Sequence, residues 1–226
     1  SVSIQEKLRK TADGDVRRDY LASQLDTYQF LVSDYITDLN ITSAFHTIEL
    51  SRAKLLAERL AVDESKIKIP ELKQIQESLD KDTVILVYAN IIREKIVQIA
   101  ITREEIEGKE MSCKDFVKSS LDKYRTPIGA LSVIQRNLNE GSLIADIINY
   151  YRSLLRGERD LEKNLRESPE IMKANTRELG RGLYDLLIKP MEAQLKNKTN
   201  LIIVPDGILS FVPFETLINE KGRYLV

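Results

Sequence analysis

The chain of 226 residues contains a single histidine, His46, and a single cysteine, Cys113. These two types can together perform acyl transfer. A thiolate attacks a carbonyl while an imidazole moves the proton, provided that the two stand within hydrogen-bond reach. His46 follows Phe45 in a stretch of helical periodicity, where an exposed or partly packed histidine is ordinary. Cys113, in "EMSCKDF", lies where a short β run passes into a helix. A helix N-terminus can lower a thiol pKa, which allows modest reactivity; a bystander thiol is the plainer reading. Nothing in the spacing pairs the two, and no catalytic residue is assigned within the chain. Without a Cys-x-x-Cys or His-x-x-x-His partner they also fall short of a zinc site, so no metal is expected.

Other ligand patterns are equally sparse. Gly180-Arg181-Gly182 lies inside a helical pattern, and no Gly-x-x-x-x-Gly-Lys occurs, so neither phosphate-binding fingerprint is met and no cofactor is expected. Asp13-Gly14-Asp15 lacks the spaced oxygens and terminal Glu of a calcium loop and reads as a turn. The nine tyrosines fall mostly on apolar helix faces, as core or rim residues. One segment stands apart, "TNLIIVPDGILSFVPFETL" (199–217). Leu201–Val204 reads as a strand at the centre of a buried sheet. Pro205-Asp206-Gly207 reads as the turn leaving its C-terminal end, proline fixing φ and glycine permitting φ > 0. In open α/β sheets ligands and catalysis gather at that edge. Asp206 and Gly207 are therefore candidates for the wall of a substrate cleft, with a plain turn as the alternative.

The elements that must position this turn can be read from periodicity. Val16, Tyr20, Leu21, Leu25, Tyr28, Leu31, Val32, Tyr35, Ile36 and Leu39 recur at helical spacing. Asn40-Ile41-Thr42 interrupts the pattern, with Thr42 or Ser43 as the expected N-cap of a second helix. That helix carries Phe45, Ile48, Leu55, Leu56 and Leu60, with small Ala44, Ser51, Ala53 and Ala57 where the pair approaches. An αα-hairpin of this kind leaves one apolar flank open and stacks on something. Pro70 starts a short helix through Leu72, Ile75 and Leu79. Thr83–Ala89 is apolar and β-branched enough for a strand buried on both faces. Past a polar tip at Asn90, Val97, Ile99 and Ile101 alternate with Gln98, Ala100 and Thr102, which predicts a strand with one mostly polar side. Ile106–Met111 completes a meander. Helices are expected from Lys114 to Gln194, broken at Pro127 and Gly141. They include a face of Ile144, Ile147, Ile148, Tyr151 and Leu155, a charged connection over 156–170, and a face of Leu179, Leu183, Leu186 and Leu187 leading to Pro190. The last strand is thus reached by a helical crossover, and the class is mixed α/β.

Composition excludes several function classes. Basic and acidic residues number 34 and 35, a net charge of −1, and form no basic block. There is no electrostatic case for a nucleic-acid partner. No apolar run approaches the ~20 residues that span a bilayer, so no membrane is expected. A lone cysteine fits a reducing compartment, which makes cytoplasm the expected location and the Asn40 and Asn197 sequons coincidental.

The quoted residues carry a resemblance. "LYDLLIKPMEAQLKNKTNLIIVPDGILSFVPFETL" (183–217) resembles the opening core of the CHAT domain family, caspase-related domains found behind tetratricopeptide repeats. The carrying features are Leu-x-x-Pro (187–190), Val-Pro-Asp-Gly (204–207), the Pro213-Phe214 pair and Leu217. "DKDTVILVYANIIREKIVQIAIT" is similar to the hairpin that opens these domains, and "AFHTIELSRAKLLAERLA" (44–61) to the last repeat helix that feeds into them. The resemblance implies a tetratricopeptide-like hairpin over 1–62 and the N-terminal part of a caspase-like domain over 63–226. It also implies a cysteine peptidase whose His and Cys follow the next two strands, beyond Val226. This chain is then expected to be inactive itself, with a protein partner or protein substrate and the remainder of its own domain as its partners. A non-catalytic scaffold with a degenerate caspase-like domain is the alternative. A sheet interrupted there is expected to leave Phe211, Val212 and Phe214 short of burial partners, so that the chain associates or is stable only beside the rest of its domain.

Overall fold

The computed structural model describes residues 14–60, 67–91, 95–114, 143–157 and 169–225. It divides into two compact units, Ser1–Ile75 and Gln76–Val226. The helix expected around Phe116–Leu138, its break at Pro127 and most of the charged connection lie outside the described residues.

In the first unit, helix α1 (Gly14–Thr37) is followed by a turn at Asp38–Asn40 and by helix α2 (Ile41–Leu60). The turn stops α1 through its backbone. Asn40 N–H donates to Tyr35 O at 2.8 Å and Leu39 N–H to Ile36 O at 3.1 Å. This paired closure requires a left-handed residue, and Leu39 supplies it at φ +58°. The cap of α2 is Asn40, two or three residues earlier than Thr42 or Ser43: its Oδ1 accepts from Ser43 N–H at 3.2 Å. An Asn that already ends one helix is well placed to begin the next. Val32 and Ile36 of α1 are buried, as are Phe45 and Ile48 of α2. Ala44 and Ala57 are buried as well, consistent with small residues where helices approach.

The second unit is built on a four-stranded sheet in the order β3-β2-β1-β4. A short helix, α3 (Leu72–Ser78), starts two residues after Pro70 and spans the boundary between the units. β1 (Thr83–Ile91), β2 (Lys95–Ile101) and β3 (Ile106–Ser112) form an antiparallel meander. Asp80 starts it, its Oδ1 accepting from Asp82 N–H and Thr83 Oγ1. Asn90, expected at the tip, lies within β1 and pairs with Ile96. After α4 (Leu143–Arg156) and α5 (Pro169–Leu187), a 3-10 turn (Lys189–Met191) and a short helix α6 (Glu192–Leu195) deliver β4 (Asn200–Val204). β4 runs parallel to β1, from Thr83↔Asn200 to Val87↔Val204, as a crossover connection demands.

One core joins the sheet to the helices. Val84, Leu86 and Ile96 pack with Ile144, Ile148, Leu183, Leu187 and Leu209. Three expectations need correction. Gln98 and Ala100 of β2 are buried, not solvent-facing, because the last turn of α5 covers that side. Leu154, not Leu155, is the buried leucine near the end of α4. β4, expected at the centre of a sheet, is an edge strand among the described residues, and Ile202 is 45% exposed.

Candidate functional site

The C-terminal edge of the parallel β1–β4 pair is held in place by the end of α5. A helix leaves its last carbonyls without intrahelical donors, and burying them unpaired is unfavourable. Here β1 and β2 each send one side chain to that end, and β3 sends one to the 3-10 turn just beyond it. Tyr88 of β1 donates to Leu187 O at 2.5 Å, Gln98 of β2 donates through Nε2 to Leu186 O at 2.6 Å, and Lys109 of β3 donates to Pro190 O at 2.7 Å. Tyr88 and Gln98 are fully buried, and burial pushes the Tyr88 phenol above its ordinary pKa. Gln98 Oε1 is buried without a hydrogen-bond partner among the described residues. These contacts fix where α5 stops and thus where β4 begins. Thr199 and Asn200 N–H then donate to Asp82 O, setting the register with β1.

At the other end of β4, Asp206 is extended (φ −129°, ψ 144°) and Gly207 is left-handed at φ +52°, the conformation that glycine takes without penalty. A 3-10 helix follows over Gly207–Phe211, opened by Leu209 N–H donating to Asp206 O and closed by Val212 N–H donating to Leu209 O, both at 3.0 Å. Leu209 is fully buried and anchors the loop. Phe214 packs its ring 5.7 Å from that of Tyr88. Val212 and Phe214 are therefore buried, against expectation, because the loop folds back over β1. Phe211 alone of the three is exposed, at 53%, with the Arg152 guanidinium 5.0 Å over its ring.

The loop continues into a second polar anchor. Tyr151 of α4 hydrogen-bonds Thr216 Oγ1 at 2.8 Å and donates to Thr216 O at 3.1 Å. A Cβ at Gly180 of α5 would lie 2.8 Å from the Tyr151 hydroxyl, so this approach needs glycine. Burial raises the Tyr151 pKa, the Thr216 bond opposes that, and the charges of Tyr224 and Glu215 reinforce it. Tyr184 donates to Glu192 Oε1 at 2.9 Å; burial first, then the Glu192 bond and charge, push its phenol up to about 12. A cleft of about 990 Å³ opens between α4, the first half of α5 and residues 215–224. Asp206 and Gly207 lie outside its lining.

Cys113 is fully buried in the core beside the sheet, which removes the reactive-thiol reading. His46 is exposed on α2, in the other unit. Among the described residues no group of three or more His, Cys, Asp or Glu side chains could hold a metal ion, and no helix is long and apolar enough to cross a membrane. The sequence pointed to the turn at Asp206 and Gly207 but not to Tyr88, Gln98 or Tyr151. An unusual polar residue in an otherwise apolar β run, Gln98 between Val97 and Ile99, was the signal that could have found one of them.

This architecture is a mixed α/β unit whose last strand is reached by a helical crossover and left through a tight Pro-Asp-Gly turn. The family model of the CHAT domain matches residues 177–226, from the middle of α5 through β4 and the following loop. The match likens this segment, about a fifth of the chain, to that family. Neither a curated protein nor a solved structure matches the chain significantly.

Proposed function

We propose that residues 63–226 form the part of a caspase-like cysteine peptidase domain that precedes its catalytic strands, and that the α1–α2 pair is a tetratricopeptide-like hairpin feeding into it. The observation that carries this reading is the coincidence of the family match with the β4 exit. Matched residues 177–226 span the crossover helix, the strand parallel to β1 and the Pro205-Asp206-Gly207 turn at the sheet's C-terminal edge. In the family the histidine and cysteine follow the next two strands, which add beyond β4. Asp206 and Gly207 would then wall the substrate cleft beside them, with an extended protein segment as substrate. The thiolate would attack the scissile carbonyl while the imidazole protonates the leaving amine.

The test extends the polypeptide past Val226 through the next strands. Cleavage of a protein substrate by the extended chain, abolished by substituting the cysteine at the end of the second added strand, supports the reading. An extended sequence lacking that His and Cys favours a second one, a binding scaffold with a degenerate domain. The second reading has its own observation: α1, α2 and the turn between them expose Phe30, Leu31, Leu39, Leu56 and Leu60, a supply of apolar contact for a protein partner. In either case the 226-residue chain by itself is expected to turn over no peptide. Turnover that vanishes in Cys113→Ala would overturn this.

A further inference from the structure

The cleft between α4, α5 and residues 215–224 has the size and composition of a small-ligand site. Its volume of about 990 Å³ lies in the range that holds drug-sized molecules. Leu154, Leu155, Met172 and Ile218 give it an apolar floor and walls. Two cations line it, Lys173 and Arg177, one helical turn apart on the same face of α5. Among the described residues neither makes an ion pair, and the lining carries one carboxylate, Glu215, which makes none either. Such an excess of unpaired positive charge at an apolar pocket favours an anionic group.

Two further features shape the site. Gly222 closes the turn at φ +75°, and a Cβ there would lie 2.9 Å from Arg177 Nη2. The left-handed φ suits glycine at this turn, which runs beside the Arg177 guanidinium lining the cleft. The Tyr151 hydroxyl, by contrast, is occupied by Thr216, so it forms wall and contributes no free donor. Recognition of charge is left to Lys173 and Arg177.

We propose that this cleft binds a small anion carried on an apolar or aromatic body, its charged group held by Lys173 and Arg177 and its body against Leu154, Leu155 and Met172. This site is separate from the β4 exit and does not rest on the peptidase reading. The probe is 1-anilinonaphthalene-8-sulfonate, compared with N-phenyl-1-naphthylamine, which has a similar apolar body and no sulfonate. Fluorescence titration of the 226-residue chain is expected to show saturable one-to-one binding of the sulfonate. The exposed double substitution Lys173→Gln/Arg177→Gln should weaken it about tenfold or more while leaving the neutral amine unchanged. Leu155→Asp should weaken both probes. The proposal is overturned if sulfonate binding is unsaturable, if it survives the double substitution unchanged, or if Leu155→Asp leaves it untouched.

Discussion

Two helices in this protein end at tight turns, and they end by opposite means. α1 closes on its own backbone, with Leu39 in the left-handed conformation and Asn40 bonded back to Tyr35. α5 closes on side chains from two strands, Tyr88 and Gln98, and Lys109 of a third holds the 3-10 turn that follows it. The first ending is local: every group that it needs lies within six residues of sequence, from Tyr35 to Asn40. The second is tertiary, and its donors come from residues 88–99 positions away. A locally closed helix can stop wherever its sequence says. One closed by a sheet stops where the sheet is, which is what the strand leaving it requires.

The largest expected effect breaks the tertiary ending. Tyr88→Ala removes a fully buried ring packed on Phe214 together with the donor to Leu187 O, and should destabilise the second unit by about 3–5 kcal/mol in urea unfolding. Tyr88→Phe separates the two contributions. It keeps the ring and leaves a buried carbonyl unpaired, a loss of about 1–3 kcal/mol. A loss below about 0.5 kcal/mol for Tyr88→Phe would mean that α5 closes as α1 does, on its backbone.

The Tyr151 anchor sharpens the same contrast at the other end of the loop. Gly180→Ala would set a methyl 2.8 Å from the Tyr151 hydroxyl and 3.4 Å from Thr216 O. One of these must shift, and overpacking of this kind destabilises by about 1–3 kcal/mol. In most helices the same change would be stabilising, because alanine is the better helix former. A rise in the unfolding midpoint would therefore show that Tyr151 is free to move away. Tyr151→Phe alongside Gly180→Ala should recover part of the loss.

Alkaline titration should separate the phenols. Tyr88, Tyr151 and Tyr184 have pKa values raised by burial, to about 12 for Tyr184, against 10.0 for the ordinary side chain. The unfolded chain therefore loses its phenolic protons first. Stability of the second unit is full below pH 10 and falls as pH rises from 10 towards 12. Tyr184→Phe should make that fall shallower. An unchanged slope would mean that Tyr184 ionises as readily in the fold as out of it.

How much of this was legible follows the same division. β1, β3, β4, both N-terminal helices and the crossover could be read from periodicity, because each is set by residues near in sequence. So could the left-handed Gly207. Gln98 could not be placed: alternation with Val97 and Ile99 predicts a polar face, and only the arrival of α5 explains why that face is buried. The burial of Val212 and Phe214 was missed for the same reason, since their partners lie on β1. Asn40 was passed over as a cap because its role in ending α1 hid its role in starting α2.

The smallest effect tests the local ending. Leu39 is 81% exposed, so its side chain contributes little packing, yet it sits at φ +58°. A left-handed conformation disfavours a residue with a Cβ by roughly 1–2 kcal/mol. Glycine escapes that penalty but gives the unfolded chain more freedom, which offsets about 0.4–1 kcal/mol of the gain. Leu39→Gly should therefore stabilise the helix pair by up to about 1.6 kcal/mol, the largest difference between the two effects. Isolated helix-pair unfolding is not needed to see it: amide exchange at Leu39 and Asn40, whose N–H groups close the turn, should slow in the variant. Faster exchange there would mean that the leucine side chain holds the turn, and that α1 too ends by packing.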